Sequence, residues 1–112
     1  MMFIIILEFK KYIDCYMIIK YIAEFIGTFF FVSIILNSLK KNTGMSSIPI
    51  SIGIGLVAAI ILVGPVSGAH LNPVVSLVSF LNKTLSYTEL IYYIIAQCAG
   101  AIAAKQYFDR LT

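Results

Sequence analysis

Between Asn42 and Asn82 the sequence has no Asp, Glu, Lys or Arg. One membrane crossing needs about 20 apolar residues, so this uncharged stretch holds a span and something more. Charge is scarce throughout: 12% of the 112 residues are charged and 61% are hydrophobic, whereas soluble domains carry about a quarter and about half. Together with a mean hydropathy of +1.00, this balance excludes an ordinary soluble domain. It points to a multi-pass integral membrane protein whose first partner is lipid. The net charge of +3 is spread over segment ends without a basic block, which argues against a nucleic-acid partner. Cysteine is nearly absent. Cys15 and Cys98 lie far apart with no metal-like spacing and read as small apolar side chains, not as a disulfide or metal pair. His70 is the single histidine. No paired carboxylates, metal-ligand set or nucleophile with a base and an orienting group accompany it, so neither an enzyme nor a cofactor is expected.

What remains is a set of apolar runs separated by polar breaks. Residues 1–16 open with MMFIIIL and continue through Glu8, Lys10, Lys11 and Asp14. That apolar run is too short for a span and has its charges on the wrong side for a secretory signal, so an interfacial helix or a loose tail is expected. The membrane-embedded part is expected at 17–112, with spans at about 18–39, 48–66 and 90–108. The first span is closed by Lys40, Lys41, Asn42 and Gly44, a polar loop with a turn signal. The second carries Gly53, Gly55, Ala58 and Ala59, small residues that let another helix approach, and is expected to end at Gly64 and Pro65. Ser86 or Thr88 can cap the last helix, with Glu89 near its positive end. Tyr87, Tyr92, Tyr93 and Tyr107 fall toward the ends of that helix, as aromatic anchors do.

The most informative stretch is SGAHLNPVVS at Ser67 to Ser76. Asn favours the position before a helix, and Pro at the first helical position loses only an amide that has no partner there. A helix therefore starts at Pro73 and stops at Asn82, after about nine residues or about 13 Å. This is roughly half of a hydrocarbon core about 30 Å thick. A half-spanning helix with irregular backbone before it survives at membrane depth only when buried in protein or lining a water-filled cavity. Residues 67–81 thus read as a re-entrant loop and half-helix, and the fold class as an all-α membrane protein with three transmembrane helices plus that element. The half-helix directs free amides and a positive dipole end toward mid-membrane, while the Asn72 amide can donate to a passing oxygen. Irregular backbone at Gly68, Ala69 and His70 offers carbonyl acceptors. Such a path favours a neutral solute and disfavours a cation. The plainer alternative is a kink in an inert span, with Asn72 acting only as a cap.

Four stretches in order, AEFIGTFFF at Ala23 to Phe31, GIGLVAAI in the second span, SGAHLNPVVS, and AQCAGAIAA at Ala96 to Ala104, resemble the amino-terminal half of the aquaporin and glycerol-facilitator family, the major intrinsic proteins. The resemblance runs from about Tyr21 to Lys105. It implies half of an inverted repeat, in which each half has three spans and a half-helix with an Asn-Pro-Ala box. Val74 stands where the family usually has Ala, a bulkier side chain that alters how closely a second box can approach. By resemblance Gly68, Ala69, His70, Asn72 and Pro73 line a pore, and Ile52 falls at the family's constriction. Glu24, costly inside a span, is implied to be buried and to hold the re-entrant backbone. Gln97 is implied to bond across helices, and Gly27 and Gly100 to serve helix contact. His70 could gate by protonation, but bracing the loop through a hydrogen bond is the preferred role.

One half leaves part of the membrane without a polar path. The expected partners are therefore a second channel half or a second copy, two oppositely inserted copies being one form, together with water or a small neutral solute such as glycerol. The alternative is a truncated, non-conducting membrane protein that associates with other helices.

Overall fold

Helix boundaries follow capping chemistry closely. The computed structural model describes residues 1–40 and 47–112, as four helices: α1 (Met2–Lys40), α2 (Ser47–Ser67), α3 (Pro73–Leu81) and α4 (Tyr87–Leu111). Lys41, Asn42 and Gly44, expected to close the first span, lie outside the described residues. At α3, the Asn72 side chain accepts the Val74 amide at 2.9 Å and Pro73 takes the first helical position. The helix ends where the Asn82 amide reaches Val78 O and Lys83 turns left-handed at φ 60°. Ser86 is the cap of α4: it accepts the Glu89 amide at 3.2 Å while the Glu89 carboxylate accepts the Ser86 amide at 2.8 Å. This reciprocal box satisfies two amides that helix geometry leaves bare. Replacing Ser86 with Ala is expected to cost about 1 kcal/mol, read as a lower unfolding midpoint in detergent.

Two boundaries differ from the expectation. Residues 1–16 are not a separate element: α1 runs unbroken for 39 residues. Glu8, Lys10, Lys11 and Asp14 interrupt the apolar run, yet Gly27 is the first Gly or Pro in the chain, so nothing stops the helix earlier. In α2, Pro65 lies within the helix instead of ending it. Proline removes only its own amide, and the helix closes further on through Gly68 N–H to Gly64 O at 2.9 Å.

α1 is the central element, packed against α2 and α4, with α3 set against α4. Lys20 meets Glu89 at 3.6 Å, Glu24 meets Gln97 at 3.0 Å and the Phe29 ring meets Tyr107, so α1 and α4 run parallel. Gly27 faces Val63, and Gly55 faces Ile34, so α2 runs antiparallel to both. Small residues permit these approaches. A Cβ on Gly100 would stand 2.5 Å from Phe25 O, and one on Gly55 would stand 2.7 Å from Ile34 Cγ2. Gly55 and Ala59 are buried, whereas Gly53 faces open space. Among the described residues, α1 and α2 are the helices long and apolar enough to cross a membrane. Their outer faces carry exposed Ile, Leu and Val, such as Ile54, Ile61 and Leu62.

Candidate functional site

The segment between α2 and α3 is built from backbone that L residues rarely adopt. Gly68, Ala69 and Leu71 have φ of 84°, 49° and 54°. A bulky residue in the left-handed region persists only where its surroundings over-determine it, and here a buried carboxylate does so. Glu24, on α1, is completely shielded from solvent. Its Oε1 accepts the Ser67 hydroxyl at 2.7 Å and the His70 amide at 2.9 Å. Its Oε2 accepts the Leu71 amide at 2.7 Å and the Gln97 side-chain amide at 3.0 Å. The Ser67 hydroxyl also accepts the Ala69 amide at 3.1 Å. Three successive amides, those of residues 69 to 71, are thereby turned to one side. Among the described residues the carbonyls of Gly68, Ala69, His70 and Leu71 accept no hydrogen bond.

A second set of contacts holds the loop against α3 and α4. His70 Nδ1 lies 3.0 Å from Ser76 Oγ, and Nε2 lies 3.4 Å from Ser79 Oγ. The Gln97 amide reaches Ser76 Oγ at 2.9 Å. The Tyr93 ring packs at a 49° tilt against the His70 ring, 4.9 Å between centres, and its hydroxyl donates to Ser67 O at 2.7 Å. Leu71 packs against Gly27 and joins Ala23, Ala59 and Val63 in the buried core.

The loop, α1, α2 and α3 enclose a cavity of about 300 Å³. Ala69, His70, Leu71 and Asn72 of the loop line it together with Phe31, Leu56, Ile60 and Val75. Of the residues singled out from sequence, Ala69, His70 and Asn72 border this space, whereas Gly68, Pro73 and Ile52 do not. Ile52 lies one and two turns before Leu56 and Ile60 on the same α2 face, and those two supply the wall. A larger cavity of about 400 Å³ between α1 and α2, lined by Ser33, Asn37, Ser38 and Ser51 among others, touches none of the loop.

Tyr93 departs from its expected place. It is 1% exposed and faces inward, while Tyr87, Tyr92 and Tyr107 are exposed. Burial of its ring against His70 leaves its hydroxyl a carbonyl partner in Ser67, as a buried phenol needs. Ser67, Ser76 and Ser79 were not singled out. A readable signal existed for two of them, since Ser76 and Ser79 stand three apart in an otherwise apolar short helix and so share a face.

These features define an all-helical membrane protein in which an interior carboxylate holds a strained loop ahead of a short helix. The chain belongs to the major intrinsic protein family, a family of integral membrane proteins whose profile matches residues 12–112. It is 35% identical to aquaporin-1 of Sus scrofa, over 94% of this chain and 42% of that protein. It is also 35% identical to the glycerol uptake facilitator protein-like 6 of Lactiplantibacillus plantarum, over 77% of this chain and 40% of the relative. Aquaporin PIP1-1 of Oryza sativa subsp. japonica is 37% identical, over 72% of this chain and 31% of its own length. The chain thus spans less than half the length of the curated relatives it matches.

Proposed function

We propose that these residues form one half of an aquaporin-type pore, passing water or small neutral solutes such as glycerol once a second half completes it. In this reading α1, α2 and α4 cross the membrane and α3 enters it partway, its Asn72 end near the middle. Gly68, Ala69, His70, Asn72 and Pro73 face the passage, with Ile52 toward its mouth. Glu24 and Gln97 stay behind it as structural polar groups.

The observation that carries the reading is the polarity of residues 68 to 72. The amides of residues 69 to 71 are consumed by Glu24 and Ser67, which leaves carbonyl acceptors on a segment bordering the cavity. Asn72 spends its side-chain oxygen on the cap and keeps its Nδ2 hydrogens for a solute oxygen. Carbonyl acceptors followed by an amide donor suit a neutral molecule that both donates and accepts, and the positive end of α3 repels cations.

At nine residues, α3 covers about 13 Å of a core about 30 Å thick, so a second half must supply the rest of the path. Lys10, Lys11, Lys20 and Lys83 would lie on one side of the membrane, and Lys40, Lys41, Lys105 and Arg110 on the other. Orientation follows the Lys and Arg bias of short loops, and equal numbers leave none. Two oppositely inserted copies related by an in-plane two-fold are therefore a form the partner can take. Single tagged cysteines accessible from one side only would rule that form out.

The decisive experiment is osmotic shrinkage of proteoliposomes followed by stopped flow. Shrinkage faster than that of empty liposomes is expected, returning to their rate in Asn72→Asp, which sets a carboxylate where the amide donates. A second reading, a non-conducting membrane protein that associates with other helices, is favoured by Val74. This branched side chain is 65% exposed at the start of α3, where a second half-helix would have to approach. Inserted protein with no added permeability would support that reading.

A further inference from the structure

We infer that Ser76 is a positioning residue that fixes His70 in one neutral tautomer, with the ring proton on Nε2 and Nδ1 accepting. The direction of each hydrogen bond follows from the one before it. Each Glu24 oxygen already accepts two hydrogen bonds, so the Gln97 atom against Oε2 must be the amide nitrogen, because a carboxylate only accepts. The same nitrogen lies 2.9 Å from Ser76 Oγ and gives it the second hydrogen. Ser76 is fully buried, so its own hydroxyl hydrogen also needs an acceptor within the protein. Among the described residues the acceptor in reach is His70 Nδ1, at 3.0 Å. An imidazole nitrogen that accepts carries no proton, and a neutral ring then holds its hydrogen on the other nitrogen. Nε2 faces Ser79 Oγ at 3.4 Å, one turn along the same face of α3, and donates there.

The donors therefore run one way, from Gln97 through Ser76 and His70 to Ser79. The chain begins at Gln97, which also donates to the carboxylate that holds the loop, and ends on α3, so it locks the His70 ring between the two elements that present Asn72. Tyr93, at 4.9 Å from the ring centre, closes one face of the imidazole. The bearing of this lock on permeation rests on the pore reading above; the tautomer itself does not.

His70 is the only histidine, so nitrogen-15 labelling of histidine gives a solid-state spectrum of one ring in bilayers at neutral pH. A pyridine-type Nδ1 and a pyrrole-type Nε2 are expected. A protonated Nδ1 in the wild-type protein would overturn the assignment. Ser76→Ala is expected to lose the single tautomer and show a mixture, and Ser76→Thr, which keeps the hydroxyl, to restore the wild-type pattern. An unchanged spectrum in Ser76→Ala would overturn the role of Ser76. Should the Ala variant not fold, the wild-type and Thr spectra decide. None of these readings depends on whether the protein conducts, so a failed flux assay and a failed tautomer assignment are separate results.

Discussion

Replacing Glu24 with Ala is expected to unfold the loop and most of the stability with it. Four donors lose their acceptor together: the Ser67 hydroxyl, the amides of His70 and Leu71, and the side-chain amide of Gln97. A buried donor left without a partner costs about 1–3 kcal/mol, so the two backbone amides alone cost about 2–6 kcal/mol. That is comparable with the whole stability of a domain, about 5–15 kcal/mol. The left-handed backbone at Ala69 and Leu71 then has nothing to hold it and relaxes. Hydrogen exchange at the His70 and Leu71 amides reads this directly: protection in the wild-type protein, fast exchange in the variant. Glu24→Gln should fall between, because an amide keeps one accepting oxygen but turns donors toward the others. Retained protection in Glu24→Ala would mean that Leu71 packing against Gly27, and not the carboxylate, holds the loop.

The second large effect is expected at Gly100. A Cβ there would stand 2.5 Å from Phe25 O and 3.2 Å from Phe29 N, and these are backbone atoms of the facing helix that cannot step aside singly. Gly100→Ala must move α4 away from α1, stretching the Glu24–Gln97 bond and the Lys20–Glu89 pair that lie along the same seam. Overpacking costs about 1–3 kcal/mol where side chains adjust, and the upper end or more is expected here. Gly27→Ala provides the contrast. The nearest atoms to its Cβ would be side-chain atoms of Leu71 and Val63, which can yield more readily than a facing backbone. Unfolding midpoints in detergent should therefore rank wild type above Gly27→Ala, and Gly27→Ala above Gly100→Ala. The reverse order would mean that the helix pair tolerates separation and the loop does not.

Much of the architecture was legible because it depends on local chemistry. Asn72 and Pro73 define a helix start by capping and by the geometry of proline, and α3 begins there. Ser86 with Glu89 is a capping box at the spacing that chemistry needs. The unbroken α1 was not legible, since scattered charges resemble a boundary when no helix breaker is sought. Pro65 misled for the opposite reason: a proline in the last turn removes an amide without stopping the helix. At the candidate site, Glu24 and Gln97 stood out as polar groups in apolar runs, but their partners did not. Ser67, Ser76 and Tyr93 are ordinary residues in sequence, and their roles depend on helix rotations that only packing determines. For the same reason the cavity wall fell to Leu56 and Ile60 while Ile52, on the same helix face, lies outside it.

The hydrogen bond between Glu24 and Gln97 joins residues 73 apart in the chain, and this has a consequence for synthesis. At about 5–20 residues per second, Glu24 emerges roughly 4–15 s before Gln97 is made, and the Ser67 to Leu71 donors also arrive late. In the pore reading proposed above, α1 carries during that interval a carboxylate without its partners, a costly group inside a span. The set of hydrogen bonds around Glu24 can close only once residues 67 to 97 have been made. The site is therefore completed by the last helix translated, although its central acceptor lies on the first.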